Sequence, residues 1–154
     1  MAENPSNMNP DPNKQVLLTR IYVKDCSFES PRTPGIFSNP VNPEVKVNMR
    51  TASNRQDNGD VEVVLSVTAE ATAESRSVFL VEVHQAGLFS VRGFSEQELA
   101  VILGSYCPSI LFPYAREVVS DLVLKGGMPS LLLQPVNFDA VFAQSMGQGA
   151  AAAG

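Results

Sequence analysis

Three stretches alternate apolar and polar residues, and together they constrain the fold more tightly than anything else in the chain. "EVKVNMRT" sets Val45, Val47 and Met49 against Lys46, Asn48 and Arg50, and "VEVVLSVTAEAT" carries Val61, Val63, Leu65 and Val67 on one side. A period of two sends successive side chains to opposite faces of a strand, so each stretch is expected to be a strand with one wet face. Between them "SNRQDNGD" centres on Asn58-Gly59, a pair suited to positive φ, which predicts a hairpin. The third stretch, "RSVFLVEVHQAGLF", puts Val78, Leu80 and Glu82 on one face and Phe79, Val81 and Val83 on the other. Connections this short predict an antiparallel meander, because parallel strands need a long crossover.

A further strand precedes these. "VLLTRIYVKDCSFES" is rich in β-branched and aromatic residues, and its later part alternates Ile21, Val23 and Asp25 on one face with Tyr22, Lys24, Cys26 and Phe28 on the other. The connection "SPRTPGIFSNPVNP" holds four prolines and a glycine, which remove ladder donors and predict an irregular segment whose Ile36 and Phe37 must dock elsewhere. Residues 1–14 are mostly Asn, Pro and other polar types, and are expected to form a disordered tail.

At "GFSEQELAVILGSY" the period changes. Ser95 can cap a helix, Glu98 can complete a capping box, and Leu99, Ile102, Leu103 and Tyr106 follow at helical spacing. Pro108 and Pro113 each lack an N–H and crowd a carbonyl one turn back, so the helix is expected to break between them. The pattern then resumes through Leu111, Ala115, Val118 and Leu122, is widened by Val119 and Val123, and ends at Gly126-Gly127. "MPSLLLQPV" is an apolar loop bracketed by prolines; loops normally run over the surface, so this one is expected to cover something. A last short helix should start near Asn137, with Val136 and Val141 as a hydrophobic staple, and residues 147–154 should fray into a disordered tail. The folded domain is thus expected over residues 15–146.

A chain of 154 residues fits one domain with a single sizeable core. Its net charge of −5, with no local cluster of Lys and Arg, would repel a phosphate backbone, so nucleic acid is not an expected partner. No run of about 18 apolar residues reads as a bilayer span, and "MAENPSNMNPDPNK" lacks the basic and apolar regions of a signal peptide. A cytoplasmic protein with reduced Cys26 and Cys107 is expected.

Few residues invite chemistry. His84 stands beside Glu82, yet residues two apart on a strand share a face without converging on a substrate, and a surface histidine is the expectation. Cys107 precedes Pro108 and is expected to be a small packing residue. Neither cysteine has a closely spaced Cys or His, so no metal is expected, and no phosphate-cradling or nucleophile-elbow motif occurs that would call for a cofactor. Asp25, Glu29 and Glu82 fit a solvated sheet face or an acidic surface for a basic partner. The aromatic residues fall in strand ends, loops and helix breaks, where ordinary packing explains most of them and an extended apolar groove is the alternative.

Four blocks carry a family likeness. "RIYVKDCSFESP" (20–31), "GLFSVRGF" (87–94), "LGSYCPSILFPYARE" (103–117) and "PVNFDAVF" (135–142) closely resemble the SecB family of bacterial protein-export chaperones, in order, over about positions 16–144. The resemblance implies an α+β fold, a four-stranded antiparallel sheet with helices on one face, assembled as a dimer of dimers. It also implies an ATP-independent holdase that keeps unfolded secretory precursors competent for translocation and passes them to the ATPase SecA. By position, the client groove would include Phe28, Phe37, Tyr106, Phe112, Leu133, Phe138 and Phe142. Asp25, Glu29, Leu80 and Glu82 would dock SecA, and Val81, Val83 and Gln85 would lie at an oligomer interface. The closing "AQSMGQGAAAAG" has no charged residue, which departs from the family's use of its C-terminus as a second SecA contact. The rival expectation is a small oligomeric enzyme or ligand-binding protein using Cys107 or His84.

Overall fold

The computed structural model describes residues 11–153, with side-chain environments through residue 147. Strands β1 (Gln15–Glu29), β2 (Glu44–Arg55), β3 (Val61–Ala73) and β4 (Arg76–Arg92) form one antiparallel sheet in the order β1-β4-β3-β2. The expected meander is therefore β2-β3-β4, and β1 closes onto the far side of β4. The hairpin at Asn58-Gly59 forms with Gly59 at φ 88° and the Asp60 N–H donating to Asn58 Oδ1. The β3-β4 turn instead holds two non-glycine residues, Glu74 and Ser75, at φ 57° and 61°, a conformation that costs an ordinary side chain free energy. The four-residue α1 (Gly35–Ser38) carries Ile36 and Phe37 out of the proline-rich connection.

Odd-numbered residues of β3 and β4 share one face. Pairing sets Val61 against Phe89, Leu65 against Gln85, Val67 against Val83 and Ala69 against Val81, and all are buried. Long α3 (Cys107–Lys125) covers them with Leu111, Ala115, Val119 and Val123, spaced every four residues on one side of the helix. Each fully buried Val or Leu contributes about 1.5–3 kcal/mol relative to exposure, so this face is the folding core. Even-numbered residues of β3, and of β4 from Leu80 onward, point to the opposite, uncovered face; Val78, expected on that face, is instead buried in the core because the register shift at Ala71/Thr72 changes the parity at the start of β4.

The alternation expected for the first strand fails midway. Register shifts between Leu18 and Arg20 and between Val23 and Asp25 leave Thr19 and Lys24 without cross-strand partners. Such an extra residue switches the parity of everything beyond it. Ile21 and Val23 therefore share the helix face with Cys26 and Phe28, while Asp25 lies opposite His84 on the open face beside Tyr22.

The expected helix break does not occur. Helix α2 (Glu96–Val101), a π-helical segment (Ile102–Tyr106) and α3 run on as a single helix from Glu96 to Lys125. The Cys107 N–H reaches back to Ile102 O, and this wider turn makes room for the Pro108 ring. Pro113 lies on the exposed side of α3, where its missing bond leaves a carbonyl in water. By length and composition alone this run would be long and apolar enough to cross a bilayer, which the sequence reading did not anticipate. Here one of its sides is packed on the sheet.

The helix ends read more simply. The Ser95 side chain accepts from the Glu98 N–H at 3.2 Å, but the Glu98 carboxylate turns to Lys14 instead of completing the box. Gly127 supplies the positive φ at the C-terminus, whereas Gly126 sits at φ −75°, open to any residue, and is needed as glycine for a steric reason: a Cβ there would strike the Phe28 ring. Asn137 caps α4 (Phe138–Ala153) by accepting from the Ala140 N–H. Residues 147–153, expected to fray, continue that helix, as the high helix propensity of an alanine run permits. The tail expected over residues 1–14 falls largely on residues 1–10, outside the described residues.

Candidate functional site

The proline-bracketed loop after α3 does cover something. Passing from Met128 to Asp139, it borders three apolar hollows in succession on the helix side of the molecule. The first, about 220 Å³, lies between Phe37, Val41, Phe79 and Met128. The second, about 550 Å³, lies between the outer edge of the sheet at Val45, Val47 and Met49 and the loop residues Leu131 to Val136. The third, about 670 Å³, opens at the π-helical segment beside Val101, Tyr106 and Phe138. Leu132 and Val45 stand out into solvent along this line, an unusual apolar density for irregular backbone.

The seven expected groove residues do not form one lining. Phe37 and Tyr106 are about half exposed, at 55% and 50%, and border the first and third hollows. Phe138 touches the third and Leu133 the second, both mostly from within. Phe112 is buried and stacks edge-on against Phe138 with centroids 5.8 Å apart, so it supports the wall without reaching the surface. Phe28 stacks on Phe79 behind the first hollow, and Phe142 packs against Gly104, which no side chain could replace without displacing that ring. Phe112, placed in the groove by the resemblance, thus stands behind the wall with its ring inside the unbroken helical run. Val45, Val47, Leu131 and Leu132 were missed; their positions along one edge become visible only once β2 is known to be the outer strand.

The open face of the sheet gathers the other group. Cross-strand pairing puts Glu29, Leu80, Glu70 and Lys46 in one row, Ser27, Glu82 and Thr68 in the next, and Asp25, His84, Ser66 and Arg50 in the third. Glu29, Leu80 and Glu82 are therefore immediate neighbours, while Asp25 lies diagonal to Glu82 and two rows from Leu80. Glu70 joins them from β3 and was not anticipated, because nothing in its own strand pattern sets it beside Leu80. Two rows further along, Glu62 accepts from Lys24 Nζ and from the Tyr22 hydroxyl, which holds its carboxyl below the usual range.

Val81, Val83 and Gln85 point the other way. They are at most 3% exposed and lie beneath α3, within the chain's own core. The period of two explains this correction: they alternate with Leu80, Glu82 and His84, so they cannot offer side chains directly to another subunit. Gln85 Nε2 donates to Tyr22 O, while its Oε1 has no partner among the described residues.

Cys107 and His84 do not form a catalytic pair. Cys107 is fully buried on the helix side, and burial pushes its thiol up to about 12, the reverse of what a nucleophile needs. His84 is on the opposite face of the sheet.

The family described as preprotein translocase subunit SecB matches residues 9–149. The chain belongs to the SecB family. Its relatives include protein-export protein SecB of Methylococcus capsulatus, 48% identical over 92% of this chain and 91% of that protein. The protein of the same name from Alcanivorax borkumensis is 49% identical over 94% of this chain and 96% of its own length. The fold is also that of a SecB-like chaperone from Mycobacterium tuberculosis, solved in complex with a ChAD peptide from an antitoxin. The TM-score is 0.65 at 19% identity, covering 79% of this chain and 90% of that one. As a SecB protein the chain is a protein-export chaperone and not an enzyme.

Proposed function

We propose that this SecB protein holds unfolded secretory precursors along the loop-bordered hollows, in the cytoplasm and without ATP, and yields them to SecA at the open sheet face. The single observation that carries the reading is the Met128–Asp139 segment, which borders three apolar hollows one after another. An unfolded chain offers apolar side chains at intervals along an extended backbone, and a line of hollows accepts them without a sequence code. The Mycobacterium tuberculosis SecB-like chaperone of this fold also holds a peptide, which supports a peptide-binding role.

Burying about 400 Å² of client apolar surface is worth roughly 10 kcal/mol before ordering costs remove several kcal/mol per segment. One segment binds modestly, so strong retention of long clients calls for several copies acting together. A dimer of dimers meets that need. The exposed apolar side of the long helix, with Val101, Tyr114 and Leu124 about half exposed, and the unpaired outer edge of β1 support self-association. Sedimentation with and without an unfolded client measures both assembly and client stoichiometry.

Release needs a competitor. The acidic surface formed by Glu29, Glu70 and Glu82 around Leu80, and extended by Asp25 two rows away, suits a basic segment bearing an apolar residue, and this is the role proposed for SecA. Incubation with a denatured precursor should suppress aggregation without nucleotide; no suppression at a stoichiometric amount of the oligomer would sink the holdase reading. Glu82→Lys should weaken SecA binding and leave client binding intact.

A further inference from the structure

The only histidine occupies the middle of the acidic face, and both of its ring nitrogens are engaged. His84 Nε2 lies 2.8 Å from Glu82 Oε1 and Nδ1 lies 2.9 Å from Ser66 Oγ. A carboxylate can only accept, so Nε2 carries the proton and donates to Glu82. In the neutral ring Nδ1 is then bare and accepts from the Ser66 hydroxyl. Ser66, on β3, thus fixes the ring, and the ring fixes one carboxylate oxygen of Glu82, leaving Oε2 to a partner.

We infer that His84 is a positioning residue for docking, presenting the Glu82 carboxylate when neutral and withdrawing its charge when protonated. This rests on the reading of the open face as the SecA surface. The partner chemistry is a basic segment with an aliphatic residue over Leu80, because His84's own row holds Asp25 across on β1, the next row holds Glu82, and the row after that holds Glu29 and Glu70 on either side of Leu80.

Around His84 the open face holds groups from β1, β3 and β4, including Ala86 two residues along its own strand and the bulge residue Lys24, whose ammonium is held by Glu62 two rows away. Glu82 is on its own strand, Asp25 is directly opposite on β1, and Ser66 is directly opposite on β3. Tyr22 and Ser27 are diagonal on β1, Val64 and Thr68 are diagonal on β3, and Arg50 stands one strand beyond Ser66. The helices lie on the other face. Imidazole is the side chain that ordinarily changes charge between about pH 5 and pH 8. Taking up a proton turns Nδ1 into a donor to Ser66 Oγ and sets an imidazolium against Glu82. The pair then neutralises itself, and an incoming cation meets a weaker field. Docking should weaken as pH falls.

The experiment measures binding of purified SecA to the full chain at about pH 8 and about pH 5.5, at fixed ionic strength, for the natural protein, His84→Gln and His84→Ala. A glutamine amide can still donate to Glu82 but cannot titrate, so His84→Gln should match the natural protein at the higher pH. Between the two pH values the natural protein should lose roughly three- to tenfold more affinity than His84→Gln, the scale of one partly exposed charge interaction. SecA's own titration is common to all three and cancels. His84→Ala should bind more weakly than His84→Gln at the higher pH, with matching urea midpoints showing that both variants fold. Equal pH dependence of the natural protein and His84→Gln overturns the inference, as does full binding by His84→Ala. Absence of SecA binding by the natural protein at both pH values overturns the docking reading and this inference with it, while aggregation suppression, read separately, still tests the holdase.

Discussion

The two faces of the sheet are built from the same strands and obey opposite rules. On the helix side, Val83, Val67, Val81 and Ala69 are fully buried and make one continuous apolar layer with α3. On the open side, the alternating residues Glu82, Thr68, Leu80 and Glu70 stay in contact with solvent. Val83 and Glu82 are adjacent in sequence but do unrelated work, one stabilising the fold and the other available to a partner. A single strand can therefore carry stability and recognition without either constraining the other, because its side-chain period separates them.

Substitutions at neighbouring positions should expose that separation, and the largest effect belongs to Val83→Asp. An unpaired charge beneath α3 should cost about 3–5 kcal/mol or more, lowering the urea midpoint sharply or preventing folding. Leu111→Ala removes the helix side of the same contact and should cost about 2–5 kcal/mol in the same measurement. Gly126→Ala forces the Phe28 ring from its place against Phe79 and should cost about 1–3 kcal/mol, with loss of the first hollow visible as weaker binding of short apolar peptides.

A smaller effect follows from the buried thiol. The native state keeps the Cys107 proton up to about 12, while the unfolded chain releases it from about 9. The stability present below that range is therefore lost as pH rises from 9 towards 12. Cys107→Ala should flatten this alkaline decline in urea midpoint, and a thiol reagent should modify Cys26 in the native protein but Cys107 only after unfolding. The smallest change is expected at Glu82→Lys, where the unfolding free energy should stay within about 0.5 kcal/mol of the natural protein. A loss as large as that of Val83→Asp would erase the distinction between the faces.

Much of this was legible from residue order. Alternation placed β2, β3 and β4, Asn58-Gly59 placed a turn, and Ser95 and Asn137 placed two helix starts, because each signal is local and its partner lies within a few residues. What could not be read were features decided by distant contacts. The face of Asp25 depends on a bulge that only pairing with β4 defines. Pro108 looks like a helix break until the π-helical turn before it is known, and no residue type announces such a turn. The likeness in four blocks brought Asp25, Glu29, Leu80 and Glu82 into one group, and the pairing explains why they meet. The same likeness grouped Phe112 with Phe37, although one is a wall support and the other a rim.

The bulges in β1 also determine where that strand can lose a residue. Thr19 and Lys24 are surplus to the ladder, so deleting either one leaves every other side chain on its present face and makes the pairing more regular. Deleting Tyr22 instead would let Lys24 fall into the ladder opposite Gln85 and turn its ammonium towards the core. In the strand that contributes Asp25 and Glu29, length is thus elastic at two positions and rigid between them.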